Sequence, residues 1–333
     1  MILKNNKMIS GQPLRSDQIQ IVQMHSFLNL LNVMIMQLTM INDLFDQDKP
    51  FSELLEEAFR LTELIRDKSE FGVINQRSIR FEEQLWNTTE RVLSWEIPLT
   101  EREEVQQAEQ IFREIFTILR QRLKELKIQF EYPDRWIEFD LNEFKEDFQR
   151  FFRAMQKNSK GRFNIVHNLA EKGEMDYLIH FEVDSDRGNR IIMPVVFKDV
   201  IRDLVANARK YTEPGGRIDA GISLKDQTLR FSVQDTGMGI PQEELDKVFT
   251  YGYRATNARH MRTMGGGFGL TKALMVTQKL KGELMIQSEL SKGTTVAIEL
   301  PVESVSEVVR REDLLQAGCK KAIAGPALAV GYV

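Results

Sequence analysis

Glycine almost vanishes between Ser16 and about Phe130 and then clusters in loops, and the hydrophobic period changes at the same place. In the first stretch apolar residues recur at spacings of three and four, in IVQMHSFLNLLNVMIMQLTMINDLF, FSELLEEAFRLTELI, SIRFEEQLWNTTERVLSW and EVQQAEQIFREIFTILRQRLKELKI. Breaks fall at DQDKP, near SEFG and at EIPLTERE, where Pro98 stops one helix and Thr100 caps the next. Four helices are expected, the first and last the longest. The first is apolar nearly all round and needs cover on most sides, which a dimeric antiparallel bundle supplies. After EYPDRW, short β-rich runs (RWIEFDL, YLIHFEV, GRIDAGISL, TLRFSVQD, GELMIQSEL, TTVAIELP) alternate with helical segments (NEFKEDFQRFFRAMQ, MPVVFKDVIRDLVANARKYT, GGFGLTKALMVTQKLK). That alternation predicts an α+β domain, so the chain reads as α+β multidomain. The expected divisions are a flexible N-terminus (1–15), a helical domain (16–132), the α+β domain (133–302) and a C-terminal extension (303–333). The extension opens on a helix-like stretch, SVSEVVRREDLLQAG.

Charge and cysteine content narrow the function classes. With 45 basic against 49 acidic residues and a net charge of -4, a general nucleic-acid binder is disfavoured, because its affinity comes from neutralising phosphates. Cys319 stands alone, so no internal disulfide forms and a reducing cytoplasm is the expected location. The most apolar helix is interrupted by Gln23, Asn29, Asn32 and Gln37, and no membrane span is expected.

Three stretches carry chemistry. DLVANARKYT (203–212) sets Asp203, Asn207 and Lys210 on one helix face. An Asn carbonyl is a hard oxygen suited to Mg2+, Lys210 supplies charge for phosphates, and Tyr211 could flank a base. DTGMGI (235–240) follows a strand and joins a carboxylate to a Gly-x-Gly turn that permits close backbone approach; Asp235 could accept a hydrogen bond from an exocyclic amino group. GGGFGL (265–270) leads into a helix whose first N–H groups favour phosphate. The glycines follow a long polar loop rather than a first strand, which excludes a Rossmann fingerprint, and no Walker A sequence is present.

Taken in order, an Asn-bearing helix, then Asp-Gly-x-Gly, then about two dozen residues, then Gly-x-Gly-x-Gly-Leu resembles the N, G1 and G2 boxes of the GHKL ATP-binding fold. The resemblance runs from about Trp136 to Pro301. ANARKYTEPGG, VFTYGYRAT and SKGTTVAIELP look like a histidine-kinase catalytic domain in particular. It implies a GHKL α/β sandwich using ATP and Mg2+, with Asn207 as the metal ligand, Lys210 on phosphate, Tyr211 against adenine and Asp235 on its amino group. Gly237 and Gly239 would shape the pocket wall. Gly265, Gly267 and Gly269, with Phe268 and Leu270, would close over the triphosphate, and Thr294 would complete the nucleotide-facing set. Phe249 matches the phenylalanine that opens the family's lid, TYGYRATNARHMRTMGG, which carries Arg254, Arg259 and Arg262. Asp203 departs from the Asn common in histidine kinases, and an acid there could act as a general base or orient a water of the Mg2+ shell.

By the same resemblance, the first half becomes a dimerisation and phosphoacceptor domain, and His25 in its first helix is the expected acceptor. A neutral imidazole is nucleophilic near pH 7. Asn29, one turn on, matches an Asn or Thr carried by many of these kinases. Ser26 stands where the common motif has an acid, Leu30 where it has proline, and no carboxylate lies between Asp17 and Asp43. A base for His25 would therefore come from another helix or from the α+β domain, with Asp203 one candidate. His167, with Glu171 expected one helical turn later, and His180, in a strand pattern, compete less well. The function implied is a histidine autokinase of a two-component or phosphorelay system, acting on the receiver domain of a separate response regulator. Input would come from an upstream sensor or signal protein. Two rivals are a GHKL kinase that phosphorylates a partner's serine and a non-enzymatic bundle adaptor.

Overall fold

The computed structural model describes residues 7–8, 28, 31–32, 34–36, 38–39, 42–43, 49–66, 71–93, 135–157, 162–260, 267–302 and 309–310. The chain divides into a unit of residues 15–131 and a unit formed by residues 1–14 with 132–333. His25, Asn29, Gly265, the helix expected last in the first half and most of 303–333 lie outside the described residues.

In the first unit the described residues between 28 and 42 are almost all helical, and two further helices follow, α1 (Ser52–Arg66) and α2 (Phe71–Leu93). Asn42 fixes the entry to α1: its Oδ1 accepts from Phe51 N at 3.0 Å and its Nδ2 donates to Ser52 Oγ at 3.3 Å. The three- and four-residue spacing becomes one core, in which Leu31, Met34 and Leu38 join Leu54, Ala58, Leu61 and Ile65 of α1 and Ile74, Phe81, Leu85 and Val92 of α2. Burial of each large side chain there contributes roughly 1.5–3 kcal/mol. No helix among the described residues is long and apolar enough to cross a membrane.

The second unit is a layered α/β arrangement. Its strands are β1 (Lys7–Met8), β2 (Trp136–Asp140), β3 (Ile165–Val166), β4 (Tyr177–Ser185), β5 (Arg190–Pro194), β6 (Arg217–Lys225), β7 (Thr228–Asp235), β8 (Glu283–Glu289), β9 (Gly293–Pro301) and β10 (Val309–Arg310). Seven form one sheet in the order β1-β8-β9-β7-β6-β4-β3, and β10-β2-β5 form a second. Helices α3 (Leu141–Lys157), α4 (Phe197–Tyr211) and α5 (Gly269–Lys279) cover the large sheet. Period-two alternation puts Ile218, Ala220, Ile222 and Leu224 of β6 and Leu229, Phe231 and Val233 of β7 into the core. There they meet α4 through Phe197, Val200, Ile201, Leu204 and Val205, with Phe197 edge-on to Phe231 at 6.2 Å. Phe148 of α3 stacks on Phe181 of β4 at 4.5 Å.

Three local expectations are corrected. Met193 and Pro194, expected in the helix that follows, end β5, which pairs antiparallel with β2; proline disfavours helical backbone in the residue before it, and α4 begins at Phe197. Val309–Arg310, inside a helix-like stretch, pairs in parallel with Ile137–Glu138. His167 follows β3 rather than sitting on a helix with Glu171, and its Nδ1 lies 2.8 Å from the Ile179 carbonyl. At the opposite edge of the large sheet, Lys7 and Met8 pair with Ile286 and Met285.

Candidate nucleotide-binding site

The site begins on α4, whose apolar residues face the sheet and leave Asp203, Asn207, Lys210 and Tyr211 only partly covered. The side-chain amide of Asn207 makes no hydrogen bond with the described residues. Lys210 Nζ sits 4.9 Å from the Tyr211 ring centroid. Burial, with the charges of Arg254 and Arg209 adding to it, lowers the Lys210 pKa to about 8. A bound polyanion would relieve that cluster of cations.

Behind α4 lies the turn that follows β7. Asp235 is 9% exposed, and its Oδ1 accepts from Gly237 N at 2.9 Å and Thr294 N at 3.1 Å. Oδ2 accepts no hydrogen bond from the described residues. Burial pushes the carboxyl up to about 6, against the pull of the two N–H groups. The turn touches backbone on both sides. A Cβ on Gly237 would lie 2.3 Å from the Tyr211 carbonyl oxygen, and one on Gly239, at φ +68, would lie 2.1 Å from that of Glu289. Further bonds pin it: Met238 N donates to Tyr211 O at 3.0 Å, Ser291 N to Met238 O at 2.9 Å, and Ile240 N to Ser288 Oγ at 2.8 Å. Ser288 Oγ also pairs with Thr294 Oγ1 at 2.8 Å.

The third side is the lid and α5. Phe249 is buried in a 3-10 turn, Lys247–Phe249. The Tyr251 ring meets Phe268 at 4.8 Å, and Asn257 Nδ2 donates to the Gly239 carbonyl at 2.9 Å. Gly267 takes φ +77, and α5 starts at Gly269 with no side-chain cap, so the N–H groups of its first turn are available to an anion. A Cβ on Gly269 would come within 2.6 Å of Asn207 Nδ2, so glycine lets α5 start against the Asn207 amide.

The structure thus brings Asp203, Asn207, Lys210, Tyr211, Asp235, Gly237, Gly239, Phe249, Arg254, Gly267, Phe268, Gly269, Leu270 and Thr294 to the same end of one unit. Sequence reasoning passed over Ser288, Asn257, Lys272 and Gly293. Gly293 takes φ +114, and its position would put a Cβ 1.9 Å from the Asp235 carbonyl oxygen; its signal was the Ser-Lys-Gly-Thr turn between two strands. Neither rival histidine belongs to this cluster: His167 is held by the Ile179 carbonyl, and His180 is half exposed on β4, 3.3 Å from Glu182.

The set fits the groups its chemistry suggests. The bare Oδ2 of Asp235 suits an adenine amino group, and the uncommitted Asn207 amide oxygen suits a hard cation. The family described as histidine kinase-, DNA gyrase B-, and HSP90-like ATPase matches residues 193–304. Among similar proteins, sensor histidine kinase RppB of Synechocystis sp. is 39% identical over 147 residues, covering 43% of this chain and 32% of RppB. Sensor histidine kinase WalK of Bacillus subtilis is 31% identical over 145 residues, covering 43% of this chain and 21% of WalK. Histidine protein kinase DivJ of Caulobacter vibrioides is 36% identical over 158 residues, covering 47% of this chain and 24% of DivJ. The matches therefore span less than a third of each relative's length. Residues 193–304, the stretch that matches this ATPase family, hold every described residue of the site.

Proposed function

We propose that this chain is an ATP-dependent histidine autokinase of a two-component or phosphorelay system, with His25 as the phosphoacceptor. The observation that carries the reading is Asp235, a buried carboxylate with one oxygen fixed by two N–H groups and the other left for a ligand donor. The names of the matched relatives, all histidine kinases, support it.

In this reading Asp235 selects adenine and Tyr211 flanks the base. Lys210, Arg254 and the free N–H groups of α5 hold the phosphates, and Asn207 ligates the metal. Mg2+, when bound, neutralises charge on the triphosphate and fixes its orientation. The His25 imidazole attacks the γ-phosphorus of ATP: an N–P bond forms, the bond from phosphorus to the ADP oxygen breaks, and the imidazole proton passes to a base. The phosphoryl group then moves to an aspartate on a response regulator. Catalysis is positioning and charge neutralisation. A homodimer through the helical unit, an upstream sensor or signal protein and a cytoplasmic setting complete the proposal.

The chemical lability of the product tests it. With γ-labelled ATP and Mg2+, purified protein is expected to acquire label that acid removes and base spares, as for phosphohistidine. Acid-stable label would replace this reading with a kinase acting on serine.

A further inference from the structure

A lysine is out of place in the first turn of a helix, where the dipole already favours anions, and burial makes its charge costlier still. Lys272 is the fourth residue of α5, and its side chain is 4% exposed. Its Nζ lies 3.1 Å from Asp203 Oδ2 and 3.8 Å from Asp199 Oδ2, both on α4. Arg202 Nη1 lies 3.5 Å from Asp199 Oδ1. Two carboxylates and two cations therefore form one cluster at the α4–α5 contact. Asp199 and Arg202 are buried within it, whereas the Asp203 side chain, 24% exposed, is the member that reaches toward solvent. Asp203 stands one helical turn before Asn207, and its Cβ is 3.7 Å from where a Cβ on Gly269 would lie. Its Oδ2 accepts from Lys272, and its Oδ1 accepts no hydrogen bond from the described residues.

We propose that Lys272 is a positioning residue of the nucleotide site. By holding Asp203 Oδ2, it keeps Oδ1 beside Asn207, where that oxygen accepts a hydrogen bond from a water in the coordination shell of Mg2+. The inference rests on the reading of this site as one for ATP and Mg2+. Lys272 does not itself touch the nucleotide, because its ammonium is buried between two carboxylates. It also gives Asp203 a task other than proton abstraction: a carboxylate anchored through one oxygen next to a metal-binding amide orders a water. Partners behind metal ligands of this kind typically alter metal affinity by about 10- to 100-fold.

Calorimetric titration with ATP, once with Mg2+ and once with EDTA, tests the proposal on the full chain. Lys272→Met is expected to lower affinity about 10-fold with Mg2+ and to leave the EDTA value within about twofold. Lys272→Arg should recover most of the loss. Asp203→Ala, which leaves Lys272 its partner Asp199, should show the same magnesium-dependent loss. Adding Lys272→Met to Asp203→Ala should lower affinity no further, because Lys272 acts through Asp203. Equal losses with Mg2+ and with EDTA, or additive losses in the double variant, would reduce Lys272 to a structural tie between two helices and overturn the proposal. If Lys272→Met does not fold, an unchanged response to magnesium in Asp203→Ala overturns it alone. Absence of ATP binding by the wild type would instead remove the nucleotide reading itself, and this inference with it.

Discussion

Replacing Asp235 by asparagine is expected to lower the affinity for ATP about 100-fold, without loss of fold. The asparagine carbonyl can keep both hydrogen bonds that Oδ1 now accepts, from Gly237 N and Thr294 N. The atom in the place of Oδ2 then becomes an N–H donor facing the donor of an adenine amino group, and neither finds a partner at this buried position. Stability should move the other way. The buried carboxyl titrates at about 6 rather than 3.8, so its ionised form costs the ligand-free fold about 3 kcal/mol. A raised folded-state pKa means that this group's stabilising contribution is complete below pH 3.8 and is lost as pH rises through about 6. The variant should therefore melt higher than wild type at pH 7, and the gap should close by about pH 4. Binding carries the matching signature: wild-type affinity should fall as pH falls through about 6, because the proton takes the free Oδ2. The variant should lack that component. Nucleotide titrations and thermal melts across this pH range check both halves.

The second large effect is on stability alone. Gly293→Ala should destabilise the second unit by roughly 3–5 kcal/mol, because two penalties coincide there. The residue takes φ +114, and its Cβ would lie 1.9 Å from the Asp235 carbonyl oxygen and 3.0 Å from Thr236 Cα. Those neighbours are backbone, held in the register of β7 and β9, and cannot step aside as a side-chain tip can. Gly252 separates the two penalties: it takes φ +70 with nothing within 4 Å of its Cβ position, so Gly252→Ala should cost only about 1 kcal/mol. Denaturant melts of the two variants measure the difference, and equal losses would contradict the packing argument.

Much of the fold was legible because its long elements are strongly periodic. The six β-rich runs of the second half each contain a strand, and the α4 face that bears Asn207 follows from spacing alone. The missed strands were of another kind. Ile165–Val166 and Val309–Arg310 are two residues long, too short for any period to register, and exist only through their partners β4 and β2. β5 escapes the sequence pattern because its last two residues, Met193 and Pro194, continue an apolar run into α4, and only Pro194 marks the break. The site divides in the same way. Asp235, Gly237 and Gly239 lie within five residues, so their chemistry could be read as a motif. Lys272 meets Asp203 across 69 residues and Asn257 meets Gly239 across 18. Neither pairing follows a repeat or a motif; the packing of separate elements creates it.

In the proposed reaction His25 receives the γ-phosphoryl group from a site built around Asn207 and Asp235. The most direct test is to map the phosphorylated residue by mass spectrometry under conditions that preserve phosphohistidine, after incubation with ATP and Mg2+. Wild type, His25→Gln and Asn207→Ala should be compared. Phosphate on His25 in the wild type and none in either variant is the expected result. Phosphate persisting in His25→Gln, on His167 or any other residue, would contradict it.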